Sequence, residues 1–189
     1  MLLTVEILGI SPLLMHNGDM VDPFNETCRE IKKLTSKGKK KTDDDLQEIA
    51  HLEWMAGLYL DDKGEPCIPG ECLEAMLNAA ARKTKQGKDC TAAVTCDGNF
   101  PLIYDGPRDP EKLWATKKFY KGCGAKVGQA KVWRTRPRFI KWGLVFTVDF
   151  KEDVVNREAV VDWLATAGRL IGLCDWRPKH GRFEVVSVK

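Results

Sequence analysis

The stretch from Gly143 to Val188 constrains the fold of this chain more than any other. Gly143 to Phe150 alternates large apolar and smaller or polar residues, the period of a strand. Asn156 is a helix-capping residue. After it, Val160, Val161, Leu164, Ala167 and Leu170 or Ile171 recur on one face of a helix predicted over 157–171. Gly172 stops that helix, residues 173–181 read as loop, and Arg182 to Val188 is again strand-like. A strand, a one-sided helix and a second strand must share a core, with the helix laid on a sheet.

The N-terminal part supplies the rest of that sheet. Leu2 to Ile10 alternates as a strand until Ser11-Pro12 breaks it. A helix is expected over 71–83, with Leu73, Met76, Leu77 and Ala80 on one face and Pro69 just ahead of it. Gln86 to Asp89 reads as loop. Thr91 to Cys96 and Phe100 to Tyr104 read as strands around an Asp97-Gly98-Asn99 turn. The resulting order is strand, helix, strand, strand, helix, strand. It predicts an α+β, ferredoxin-like (RRM-like) βαββαβ domain with an antiparallel sheet, spanning residues 1–189.

Two stretches do not fit that order and read as insertions. Residues 23–60 carry two helical patterns, with Cys28, Ile31 and Leu34 in the first and Leu46, Ile49, Leu52 and Met55 in the second. Lys37 to Lys41 is a basic turn between them, and Thr42 with Asp45 forms a capping-box pattern. Residues 106–140, between the middle strands, read as a loop or irregular β-hairpin, with Val132 to Ile140 extended.

Charge is unevenly placed. The formal charge of the 189 residues is only +3, yet Lys117 to Lys141 contains nine basic residues and no Asp or Glu. The remainder is therefore net acidic, an asymmetry that speaks of partners rather than of fold. The cations are Lys117, Lys118, Lys121, Lys126, Lys131, Arg134, Arg136, Arg138 and Lys141, interleaved with Phe119, Tyr120, Trp133 and Phe139. Cations neutralise phosphates and aromatic rings stack on unpaired bases, so this composition points to single-stranded nucleic acid. On an extended backbone Arg134, Arg136 and Arg138 point the same way. Gly122, Gly124 and Gly128 let backbone approach a ligand closely. The bland alternative is a solvated loop. A second candidate is the loop after Gly172, where Trp176 offers a stacking surface and Arg177, Lys179, His180 and Arg182 offer polar contacts; alternatively Trp176 tucks onto the core.

The seven cysteines show no C-x-x-C spacing, and zinc sites usually pair ligands about two to four residues apart, so reduced thiols are expected and no metal or other cofactor. No apolar run has the length of a membrane helix, and no leader pattern opens the chain. A cytoplasmic protein without membrane partners is expected.

Three segments together resemble the RAMP superfamily, the repeat-associated proteins that form the backbone of CRISPR interference complexes. These are Leu8 to Met15, the turn at 60–66 running into Ile68-Pro69-Gly70 and the following helix, and Gly172 to Val185. The resemblance implies a ferredoxin-like fold, a guide RNA held along its backbone, a hairpin between the middle strands that clamps it, and head-to-tail copies of the subunit. The expected partners are then guide RNA, a target strand of RNA or DNA, further copies of this chain and other subunits of the complex. The resemblance also raises an alternative, an endoribonuclease. Asp19 or Asp22 would act with a metal, as type III relatives place a catalytic Asp in this region, or His180 would act without one. Short polar residues after a strand also serve as turns and helix caps. A third reading is a viral or mobile-element interaction module that engages a host complex through 23–60.

Overall fold

Every second side chain of Leu2–Gly9 (β1) is buried: Leu3, Val5 and Ile7 turn inward and their neighbours outward. This is the alternation expected of a strand with one face on a core. The computed structural model describes the backbone of residues 1–127 and 130–189 and the side chains of residues 1–124 and 132–189. Gly128 and the side chains of Lys126 and Lys131 lie outside the described residues. After β1 the elements are Leu13–Leu14 (β2), Glu26–Ser36 (α1), Asp43–Gly57 (α2), Cys67–Pro69 (β3), Gly70–Ala81 (α3), Gly87–Ala93 (α4) and Val94–Thr95 (β4). There follow Asn99–Ile103 (β5), Pro110–Ala115 (α5), Tyr120–Val127 (β6), Ala130–Phe139 (β7), Gly143–Phe150 (β8), Arg157–Thr166 (α6) and Phe183–Val188 (β9). The chain is of mixed α and β structure with antiparallel sheets. It divides into two compact units, one of residues 1–14, 60–106 and 139–189, the other of residues 15–59 and 107–138.

In the first unit the sheet runs β3-β5-β8-β1-β9, and β4 also pairs with β8. β1 is central: Leu2 faces Asp149 and Leu8 faces Gly143 on one side, while Val5 faces Val188 and Gly9 faces Phe183 on the other. Leu144, Phe146, Val148 and Phe150 of β8 are buried with the inward residues of β1. Leu73, Met76, Leu77 and Ala80 of α3 and Val160, Trp163 and Leu164 of α6 are buried as well, and α3 packs on α6. Side chains of this size buried together supply most of the stabilisation of such a unit, roughly 1.5–3 kcal/mol each.

The Ile68-Pro69-Gly70 segment has a steric reason. Gly70 opens α3 while its amide donates to Gly98 O at 2.9 Å, and a Cβ there would lie 1.5 Å from Cys96 O. Gly172 and Gly181 have φ of 81° and 73°, and Leu173 N donates to Gly181 O at 2.8 Å. The loop thus crosses itself at two residues whose backbone only glycine adopts without strain.

Two expectations need correction here. The loop at 86–89 and most of the strand at 91–96 are helix α4, leaving only Val94–Thr95 extended. The cause is tertiary: Asn78 of α3 donates its side-chain amide to Gly87 O at 2.9 Å and lies against Thr91, which holds the first turn of α4 on α3. The helix expected over 157–171 is α only to Thr166 and continues as a π turn over Ala167–Ile171.

Cys67, Cys90 and Cys96 are buried in this unit. Burial, with nearby carboxylates adding to it, pushes the Cys67 and Cys96 thiols up to about 12 and Cys90 to about 11. Thiolate is the reactive form. Iodoacetamide at pH 8 is therefore expected to leave these three unmodified in the native protein and to modify them after urea unfolding, as peptide mass spectrometry would show.

In the second unit, α1 and α2 form a hairpin. Asn25 caps α1 by accepting from Cys28 N at 3.2 Å, and the predicted capping box at Thr42 and Asp45 is complete. Lys37 donates to Asp45 at 2.5 Å; that bond, then the Thr42 amide, holds the Asp45 carboxyl below its ordinary value of 3.8. The inward face of α2 differs from the expected one. Leu46 is 50% exposed, whereas Asp45, Ile49, Glu53, Trp54 and Gly57 are buried. Periodicity located the helix, but carboxylates with partners replace apolar residues on its inner face. Residues 107–127, expected as loop or hairpin, begin with α5, capped by Asp109, and continue into β6.

Candidate nucleic-acid interface

β6 and β7 pair as an antiparallel hairpin in which Tyr120 faces Pro137, Gly122 faces Thr135 and Gly124 faces Trp133. Alternation along β7 buries Thr135, Pro137 and Phe139, while Arg134, Arg136 and Arg138 share the other, half-exposed face. Trp133 belongs to the parity of Thr135 but is 69% exposed. Its indole lies across Gly122, where a Cβ would come within 2.2 Å of the ring. A side chain at 122 would displace the ring, so glycine makes the shelf for an open aromatic ring on the face of β7 opposite Arg134, Arg136 and Arg138.

The base of the hairpin is fixed to α2. Trp54 donates its indole N–H to Phe119 O at 2.8 Å. Trp114 of α5 packs on Trp54, His51 and Tyr120 with centroid separations of 5.3, 5.1 and 5.6 Å. Lys117 places its ammonium 4.3 Å from the Trp114 ring centroid, a cation–π contact. Glu53, 3% exposed at its side chain, accepts from the Arg134 guanidinium and from the Thr135 amide at 2.9 Å. A buried carboxylate is tolerated when charge and hydrogen bonds are both matched, and Arg134 and Thr135 supply them. Arg134 therefore anchors β7 to α2 as well as facing outward.

Arg134 and Arg136 form one wall of a groove of about 850 Å³ within this unit. Arg29, Lys32 and Thr35 of α1 also line it, together with Lys41, His16, Asp22 and Pro23. The sequence suggests no ligand contact at Arg29, Lys32 or His16, and offers Lys37 to Lys41 as a solvated turn or a secondary contact. The helical spacing of Arg29 and Lys32 is visible, but not that a basic strand would line the same groove.

The other expected site residues are distributed as follows. Lys118 is exposed, and Lys121 and Arg138 are half-buried, the Arg138 amide donating to Phe119 O at 2.8 Å. Lys141 is exposed and belongs to the first unit, as does the loop after Gly172. In that loop Arg177, Lys179 and Arg182 are exposed, and Trp176 is 39% exposed. His180 is only 5% exposed, its ring stacked on Trp176 at 6.0 Å. Its position makes it the support of Trp176 rather than a surface contact. Arg177 also borders a cleft of about 540 Å³ with Glu71 and Glu74 of α3.

Asp19 lies within a 3₁₀ turn over Gly18–Val21, and Asp22 follows at its C-terminal end. Asn17 accepts from the Asp19 amide at 3.0 Å, and Asp22 accepts from the Phe24 amide at 2.8 Å. These are turn and capping roles. Among the described residues no three His, Cys, Asp or Glu side chains gather as a metal site. No described helix is long and apolar enough to cross a membrane.

No family model matches the sequence, and no curated protein does. A solved chain does match in structure. It belongs to the cryo-EM structure of the Type III-B Cmr-beta bound to cognate target RNA, and it superposes with a TM-score of 0.54 at 10% identity. The likeness is one of fold. All of this chain is covered, but it spans 59% of the length of the chain it matches.

Proposed function

We propose that this chain binds single-stranded RNA as a RAMP-like subunit of a CRISPR-type ribonucleoprotein, with β6–β7 as its grip. The observation that carries this is Trp133, 69% exposed and shelved on Gly122, on the same strand as Arg134, Arg136 and Arg138, which share its other face. Rings of that kind stack on unpaired bases, and cations in a row follow a phosphate backbone. The sheet order supports the ferredoxin-like reading: β9-β1-β8-β5, with α3 in the connection after β1 and α6 in that before β9. On this reading the whole chain is one RAMP-like domain whose insertions at 23–60 and 106–140 form the second compact unit. The fold likeness to a chain from an RNA-bound Cmr structure supports guide RNA as the ligand, with a target strand, further copies of this chain and other complex subunits as neighbours. Base pairing by the guide would then read sequence, in the cytoplasm.

The test is a salt-resolved titration of the full chain against single-stranded RNA, single-stranded DNA and duplex, following RNA integrity throughout. Tight, salt-sensitive binding to single strands with the RNA intact is the expected result. Trp133→Ala should weaken single-strand binding about 10- to 100-fold, the value of one stacked base, and leave circular dichroism unchanged. Cleavage of the RNA would favour the endoribonuclease reading, and absence of binding to all three would favour a protein-interaction module.

A further inference from the structure

The helical wall of the groove is as basic as the strand wall. Arg29 and Lys32 lie one turn apart on α1, on the same face, and Lys41 joins them from the turn that follows. Their polar contacts are with carbonyls and a ring. Arg29 donates to Pro23 O at 3.2 Å and sits 5.6 Å from the Phe24 ring centroid, while Lys41 donates to Thr35 O at 3.4 Å. Among the described residues, none of the three has a carboxylate at ion-pair distance. The two carboxylates in the groove are engaged elsewhere: Glu53 with Arg134 and the Thr135 amide, Asp22 with the Phe24 amide. The cavity is thus left with an excess of positive charge on both walls. Phe24, next in sequence to the lining residue Pro23, is 75% exposed and leaves its ring open to a planar ligand.

We infer that this groove is a phosphodiester site, in which Arg29, Lys32 and Lys41 hold successive phosphates of single-stranded RNA and Phe24 stacks on an adjoining base. The inference rests on the nucleic-acid reading given above and gives the α1–α2 hairpin the role of the second wall. An acidic peptide would satisfy the cations equally. The exposed ring of Phe24, with the Arg29 guanidinium beside it, favours a ligand that carries a planar base with each charge.

The experiment uses the full chain, a short fluorescein-labelled oligouridylate, and the variants Arg29→Gln/Lys32→Gln/Lys41→Gln and Phe24→Ala. For single strands, each phosphate contact contributes about 0.7 to the slope of log affinity against log salt, so losing three contacts should flatten it by about 2. At low salt, affinity of the triple variant should fall at least tenfold, and Phe24→Ala should lose about tenfold. Should the triple variant fail to fold, Lys32→Gln alone is expected to flatten the slope by about 0.7. An unchanged slope in a folded variant, with the native chain binding the oligonucleotide, overturns the groove assignment and leaves the β7 grip standing. Failure of the native chain to bind any single strand overturns the nucleic-acid reading and this inference with it, as does a preference for polyglutamate over RNA.

Discussion

Arg134→Ala is expected to destabilise the second unit by about 3 kcal/mol. The reason is Glu53, whose 3% exposed carboxylate keeps only the Thr135 amide once the guanidinium is gone. Removing one partner of a buried pair leaves the other desolvated and unmatched, which costs far more than the pair itself contributes. Arg134 is 31% exposed at its side chain, which places the cost at the low end of the range for buried pairs. Urea unfolding followed by tryptophan fluorescence would measure it. Adding Glu53→Gln to Arg134→Ala should recover a substantial part of the loss, since no buried charge then remains. If the single variant is as stable as the native protein, the Glu53–Arg134 pair does not anchor β7. The same pair dictates how binding is tested, because charge reversal at 134 would set two carboxylates together and confuse unfolding with loss of contact.

Arg136→Glu/Arg138→Glu is expected to reduce affinity for single-stranded RNA at least 100-fold with the fold intact. Each charge-assisted contact to phosphate contributes about 1.5–3 kcal/mol, and each reversal adds repulsion from the backbone. β7 keeps its register, because pairing with β6 uses main-chain groups and the inward side chains Thr135 and Phe139 are untouched. Fluorescence anisotropy at several salt concentrations, with circular dichroism as the check on folding, reads the effect. Unchanged affinity would move the grip from β7 to the exposed Trp176, Arg177, Lys179 and Arg182 of the other unit.

Much of this molecule can be read from neighbouring residues alone. Alternation placed β1, β8 and β9, and the caps at Thr42 and Asn156 placed the starts of α2 and α6. Alternation along 134–138 also put the three arginines on one face. All of these are local: the side chain that signals an element lies within a few positions of the backbone it satisfies.

What escaped the sequence reading depends on contacts between distant positions. Residues 87–93 are helix, with Asn78 of α3 holding Gly87, where the neighbouring Asp97-Gly98-Asn99 turn suggests a loop and a hairpin strand. His180 is buried because the loop crosses itself at Gly172 and Gly181 and stacks Trp176 on the ring. Glu53 faces inward because a guanidinium 81 positions later meets it. The groove exists because two segments far apart in the chain, 15–59 and 107–138, fold as one unit. Sequence by itself determined the cations and most of the strands and helices, though not α4 or α5; only the tertiary structure decided which charges would be neutralised by a partner and which would line a common cavity, because that depends on pairs of residues whose separation along the chain carries no periodic signal.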